Sequence, residues 1–100
     1  MAIAMLSVGS IVRDMIGDLQ DYDAATISLW RLSSNLKGRL ALLEDVGADQ
    51  AWVDELRTLR NAIEYVSAFF IESRRTQLTE DEKREVNDVI DELRAALISY

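Results

Sequence analysis

Carboxylates are the reactive groups this chain has in quantity: 18 Asp and Glu stand against 11 Lys and Arg, with no His and no Cys, in 100 residues. Two sets of them recur at helical spacing. Asp14, Asp18 and Asp21 follow i, i+4, i+7, and Asp81, Glu85, Asp88 and Glu92 follow i, i+4, i+7, i+11, so each set falls on one face of a helix. A row of carboxylates can hold a hard cation or offer a phosphate-like field to a basic surface. Other chemistries lack a part. Serines are present, but with no His and only Lys37 and Lys83 a nucleophile has no ordinary activating base. Thiolate metal sites and disulfides are excluded, as are the Glu-x-x-His pairs of bundle di-iron centres. The four glycines are scattered at 9, 17, 38 and 47, which makes no phosphate-cradling loop. No catalytic residue, metal or cofactor is therefore expected. A net charge of −7 also argues against direct binding of nucleic acid.

The elements that must position these carboxylates read as helices. The length allows one domain, over residues 1–100, and the composition is 49% hydrophobic with no Pro to interrupt a helix. Val8, Ile11, Val12, Met15, Ile16 and Leu19 make one apolar stripe, which predicts a first helix over about 3–20. Gly9 and Gly17 weaken it by about 1 kcal/mol each relative to Ala. Asp23 then suits the N-cap of a second helix over 24–46, with Leu29, Leu32, Leu36, Leu40 and Leu43 inward and Gly47 as its left-handed stop. A third helix, 50–73, is capped by Asp49 and carries Trp52, Leu56, Leu59, Ile63, Val66 and Phe70 in alternating steps of four and three. Thr79-Glu80-Asp81-Glu82 is a capping box that opens a fourth helix over 80–99, with Val86, Val89, Ile90, Leu93 and Leu97 inward. Short connections between long helices predict an all-α, antiparallel up-down-up-down four-helix bundle. A three-helix bundle with a loose first segment is the fallback.

That topology gathers Asp18, Asp21, Asp23, Glu72, Glu80, Asp81 and Glu82 at one pole, offset by Arg74 and Arg75. The Asp14/Asp18/Asp21 stripe is the more telling of the two. Acids in the last turn of a helix oppose its dipole at about 0.3–1 kcal/mol each, and neighbours four apart repel. The helix 4 acids have a structural use in capping and in pairing, as of Glu80 with Arg84. Tyr65 and Phe69 fall off the helix 3 seam, and Ile27 and Trp30 off that of helix 2. Half-burial against neighbouring helices is the expected fate of these four; exposure would mark a surface for a partner or for a second copy.

The opening Met1-Ala2-Ile3-Ala4-Met5-Leu6-Ser7-Val8 is apolar, but no basic residue precedes it and Arg13 and Asp14 cut it short. It reads neither as a secretory signal nor as a membrane span, so a cytoplasmic protein is expected.

Two resemblances bear on function. Glu82-x-x-Glu85-x-x-Asp88-x-x-Asp91 resembles the Mg²⁺-binding acidic helix of the MazG-type nucleotide pyrophosphohydrolases. The second motif of that family, a Glu-Glu-x-x-Glu on an earlier helix, is missing; on helix 3 Glu64 and Glu72 stand eight residues apart. Size, four-helix reading and acidic balance, with the segment Leu56-Arg57-Thr58-Leu59-Arg60-Asn61-Ala62-Ile63-Glu64-Tyr65-Val66, are similar to the small acidic immunity proteins that protect bacteria against nuclease toxins of the colicin and contact-dependent-inhibition kind. Acidic anti-CRISPR proteins and antitoxins share the same pattern. The resemblance implies a non-enzymatic inhibitor that masks the basic active or substrate-binding surface of a toxin domain in a one-to-one complex. Within it, Asp14, Asp18, Asp21 and Asp23 come first as contact residues, then Asp81, Glu85 and Asp88, with Trp30 or Tyr65 as an aromatic anchor. The competing class is a structural or adaptor bundle acting through an apolar surface, including a homodimer.

Overall fold

In a computed structural model, residues 7–99 are described, and they form four helices with no strand among them. The helices are α1 (Val8–Asp23), α2 (Leu29–Asp45), α3 (Gln50–Glu72) and α4 (Glu80–Ile98). The expected start of the first helix at residue 3 lies outside the described residues. Within them, Ser7 and Ser10 cap α1 reciprocally, each side chain meeting the other's backbone N–H at 3.1 Å. Asp49 and Thr79 cap α3 and α4 as expected, their side chains accepting from Trp52 and Glu82 N–H at 3.1 Å.

The second helix differs from expectation. It begins at Leu29 behind Ser28, whose hydroxyl accepts from Arg31 N–H at 3.1 Å. Asp23 is instead the last residue of α1. The chain between them turns sharply at Ala25, which adopts φ +60° while Ala25 and Thr26 N–H bond back to Tyr22 and Asp21 carbonyls. This is the Schellman ending usually made with glycine. At the end of α2, Gly47 makes the same turn at φ +77°, with Gly47 and Ala48 N–H bonded to Glu44 and Leu43.

Each helix packs on its neighbour in a closed ring, α1 on α2, α2 on α3, α3 on α4 and α4 on α1, and among the described residues no backbones approach across the diagonals. One core fills the ring. Ile11, Met15 and Leu19 from α1, Leu32, Leu36 and Leu43 from α2, Val53, Leu56 and Ile63 from α3, and Ile90, Leu93 and Leu97 from α4 are fully buried. Each such side chain contributes about 1.5–3 kcal/mol by leaving water. The α3 seam is rotated slightly from expectation. Val53, Leu56, Arg60, Ile63 and Ser67 line it, while Trp52, Leu59 and Phe70 are half-buried at its edge. Trp52 still ties two helices together, its indole N–H donating to the Ala96 carbonyl of α4 at 3.0 Å.

Candidate partner-binding site

The expected acidic positions separate into three borders of the ring. Asp14 and Asp18 turn toward α2. Asp18 is 5% exposed, so it belongs to the interior and not to a contact surface. Its carboxylate accepts from Asn35 Nδ2 at 3.4 Å and from Arg39 Nε at 3.2 Å. Arg39 also faces the exposed Asp14 at 4.0 Å. Position explains the burial: Asp18 lies seven residues after Ile11 and three after Met15, within the arc of the apolar stripe. Like-charge repulsion along this stripe is answered by Arg39, and Asp21 stays exposed.

Asp23 stands at the other border of α1. It is paired with Arg94 of α4 at 2.7 Å, and the same guanidinium reaches Asp91 at 3.4 Å. Burial, followed by the adjacent Asp23 charge, pushes the half-buried Tyr22 phenol above its ordinary pKa.

The α4 stripe is the part left free. Asp81, Glu85, Asp88 and Glu92 are all exposed. Among the described residues Glu85, Asp88 and Glu92 have no ion pair, and Asp81 meets only the exposed Arg84, at 3.5 Å. Arg84 therefore does not serve Glu80, which pairs with Lys83 at 3.4 Å. Glu85 and Glu92 flank the half-buried Val89 at i−4 and i+3, on the side of α4 whose Ala96 carbonyl meets Trp52 of α3. The stripe thus borders α3, and Arg94 marks the opposite edge, toward α1. Asp14 and Asp21 do not join it.

Glu82 has a different task. Arg75 grips it with two hydrogen bonds of 2.6 and 2.7 Å, and its carboxylate accepts from Thr79 N–H at 2.8 Å. The Arg75 bonds first, and the Thr79 amide second, hold its carboxyl at about 2, well below the ordinary 4.5. The run from Glu82 to Asp91 therefore begins with a carboxylate that is already engaged. Among the described residues no group of three or more acids is arranged to hold a metal ion.

The off-seam aromatics correct the expectation of burial. Tyr65 is 73% and Trp30 56% exposed, and Phe69 is also more than half exposed; only Ile27 is half-buried. The sequence carried a signal for this. Residues 62–71 of α3 hold eight apolar side chains on every face of the helix, more than a single inward stripe can bury. Arg75 stands 5.8 Å from both the Phe69 and Phe70 rings, and Arg31 lies 5.8 Å over Trp30.

A groove of about 430 Å³ between α2 and α3 was not foreseen. Its floor is Arg60, 8% exposed, which donates from Nε to the Ser33 carbonyl and from Nη2 to the Ser33 hydroxyl, both at 3.2 Å, and from Nη1 to Glu64 at 2.8 Å. Spacing could have found Arg60, four residues after Leu56 and three before Ile63, but a charge at a core position reads as an interruption until its partners on another helix are known.

Compared with models of protein families, with curated proteins and with solved structures, the chain gives no match. Among the described residues, no helix is long and apolar enough to cross a membrane.

Proposed function

We propose that this protein is an immunity-type inhibitor, a non-enzymatic bundle that binds a cognate toxin domain, in our reading a nuclease, and covers its basic active-site or substrate-binding surface. The observation that carries the reading is the free α4 stripe: in a chain of net charge −7, Glu85, Asp88 and Glu92 lie exposed without an internal cation, beside the exposed Asp81. Such an array attracts a basic protein at long range and raises its association rate in a salt-dependent way. The contact surface is then α4, with Asp14 and Asp21 secondary and Asp18 and Asp23 serving the bundle itself. The partner binds one-to-one per chain, in the cytoplasm of a bacterium.

The arrangement that presents this stripe is an up-down-up-down antiparallel bundle. Support comes from cross-helix bonds. Early α3 meets late α2 through Arg57 and Glu44, while Arg60, further along α3, reaches Ser33 near the start of α2. Trp52 near the start of α3 reaches Ala96 near the end of α4.

The test is capture of the tagged protein's partner from its native lysate at low and high salt, followed by titration of the purified pair. Combined Asp81→Asn, Glu85→Gln, Asp88→Asn and Glu92→Gln should weaken binding at least tenfold, mainly through the on-rate, and flatten its salt dependence. Unchanged affinity for a confirmed basic partner would remove the proposal. The exposed Trp30, Tyr65 and Phe69 favour a second reading, a structural module working through apolar contacts; there the aromatic positions, and not the acids, would set affinity.

A further inference from the structure

We infer that the α2–α3 groove is a self-association surface whose occupant is the same groove of a second copy, related by a two-fold axis passing near Trp30. Three observations combine. First, two large apolar side chains stand on its walls, the Trp30 ring on α2 and the Ile71 side chain on α3, both more than half exposed. Second, it is electrically neutral in a strongly acidic molecule. Lys37 and Arg60 balance Glu64 and Glu72 among its lining residues, whereas the chain as a whole carries −7. A basic ligand would be drawn to α4 instead, and a neutral face is where two copies of an acidic chain can approach with least repulsion.

Third, the charges left over are placed for self-pairing. Arg60 and Glu64 satisfy each other at 2.8 Å, but Lys37 and Glu72 have no ion-pair partner among the described residues. They sit at opposite ends of the groove. With α2 and α3 antiparallel, Lys37 lies near the level of Arg60, and Glu72 lies 12 residues further along α3, about 18 Å away at 1.5 Å per residue. Trp30, two turns before Lys37, falls close to the midpoint. A two-fold axis there sets Lys37 of each copy opposite Glu72 of the other and brings the two Trp30 rings together at the centre. An isologous contact requires this self-complementarity, and aromatic cores with charged rims are the usual anatomy of protein interfaces. The α4 stripe stays uncovered, so each copy keeps its own site for a basic partner.

Sedimentation equilibrium of the full chain, with helicity checked by circular dichroism, tests the pairing through charge reversal. The wild type should dimerise. Lys37→Glu alone and Glu72→Lys alone each place like charges across both ends and should weaken the dimer at least tenfold. The double variant Lys37→Glu with Glu72→Lys restores opposite signs across the axis and should regain wild-type self-affinity. Both positions are exposed, so the single variants should fold normally. A chain that stays monomeric at millimolar concentration, a dimer indifferent to either reversal, or a double variant no better than the singles would each overturn the inference. The α4 variant described above should dimerise like the wild type, which separates failure of this surface from failure of the inhibitor reading.

Discussion

At the scale of the residue, the same side-chain type does opposite things a turn apart. Asp14 and Asp21 are solvated, while Asp18 is an interior acceptor for Asn35 and Arg39. Neutralising the whole stripe, which repulsion alone would make stabilising, should therefore destabilise. Asp18→Asn is expected to cost about 2 kcal/mol, because it strips charge from a buried hydrogen-bonded carboxylate and leaves Arg39 less well matched. Asp14→Asn and Asp21→Asn should each stay within about 0.5 kcal/mol. Urea denaturation of the three single variants distinguishes these outcomes. Glu82 gives a pH signature. Its carboxyl titrates near 2 when folded and near 4.5 when the chain is unfolded, so the folded state holds fewer protons in that interval. Its contribution to stability is complete above the unfolded value and disappears as pH falls toward the folded one. Glu82→Gln should lower stability at neutral pH and flatten the acid limb of the stability curve between about pH 5 and 2, read by thermal melts across that range. The capping half of the Glu82 role was legible in the Thr79–Glu82 spacing; the grip of Arg75 and the burial of Asp18 were not, since they depend on which donor another part of the chain brings to the carboxylate.

At the scale of the element, the helices were legible where local rules decide them. The caps at Asp49 and Thr79 and the stop at Gly47 each concern groups within a few residues of one another, and the leucine stripe of α2 is an uninterrupted period. The start of α2 was not legible, because Asp23 is a sound cap in isolation and nothing nearby forbids it. What displaced it is the turn at Ala25, a left-handed position occupied without glycine. Arg74 just past α3 is the second such case, at φ +55°. Non-glycine residues in this region carry strain, so Ala25→Gly should stabilise the protein by about 0.5–1 kcal/mol even after the added freedom of the unfolded chain is subtracted. A higher midpoint in urea with an unchanged slope would be the sign. The α3 seam was read one edge off because Trp52, Leu59 and Phe70 are more hydrophobic than Arg60 and Ser67, and hydrophobicity was allowed to choose the inward side. Cross-helix bonds from Arg60 to Ser33 chose otherwise.

At the scale of the whole molecule, the ring presents unlike faces: an acidic edge along α4 and a neutral, aromatic-lined groove between α2 and α3. Total charge announced the first and could not locate it, since the α1 stripe looked the more telling of the two until Asp18 turned inward. Raising salt should weaken capture of a basic partner strongly and self-association much less, because screening of the Lys37–Glu72 pairs is offset by relief of the repulsion between two acidic copies. Parallel titrations at two ionic strengths read both trends in one preparation. The buried aspartate of α1 has a consequence at this scale as well. Four helices with leucine-rich seams can circulate clockwise or anticlockwise with much the same apolar burial, and oil alone is a poor judge between the two. Asp18 finds its amide and guanidinium donors only when α2 stands on one particular side of α1; in the mirror circuit the carboxylate would be sealed in without them, at about 1–3 kcal/mol. One acid thus breaks a tie of handedness. A chain with Leu at 18 and Met at 39 should hold together at least as firmly, yet show doubled amide resonances from two circuits that no longer exclude each other.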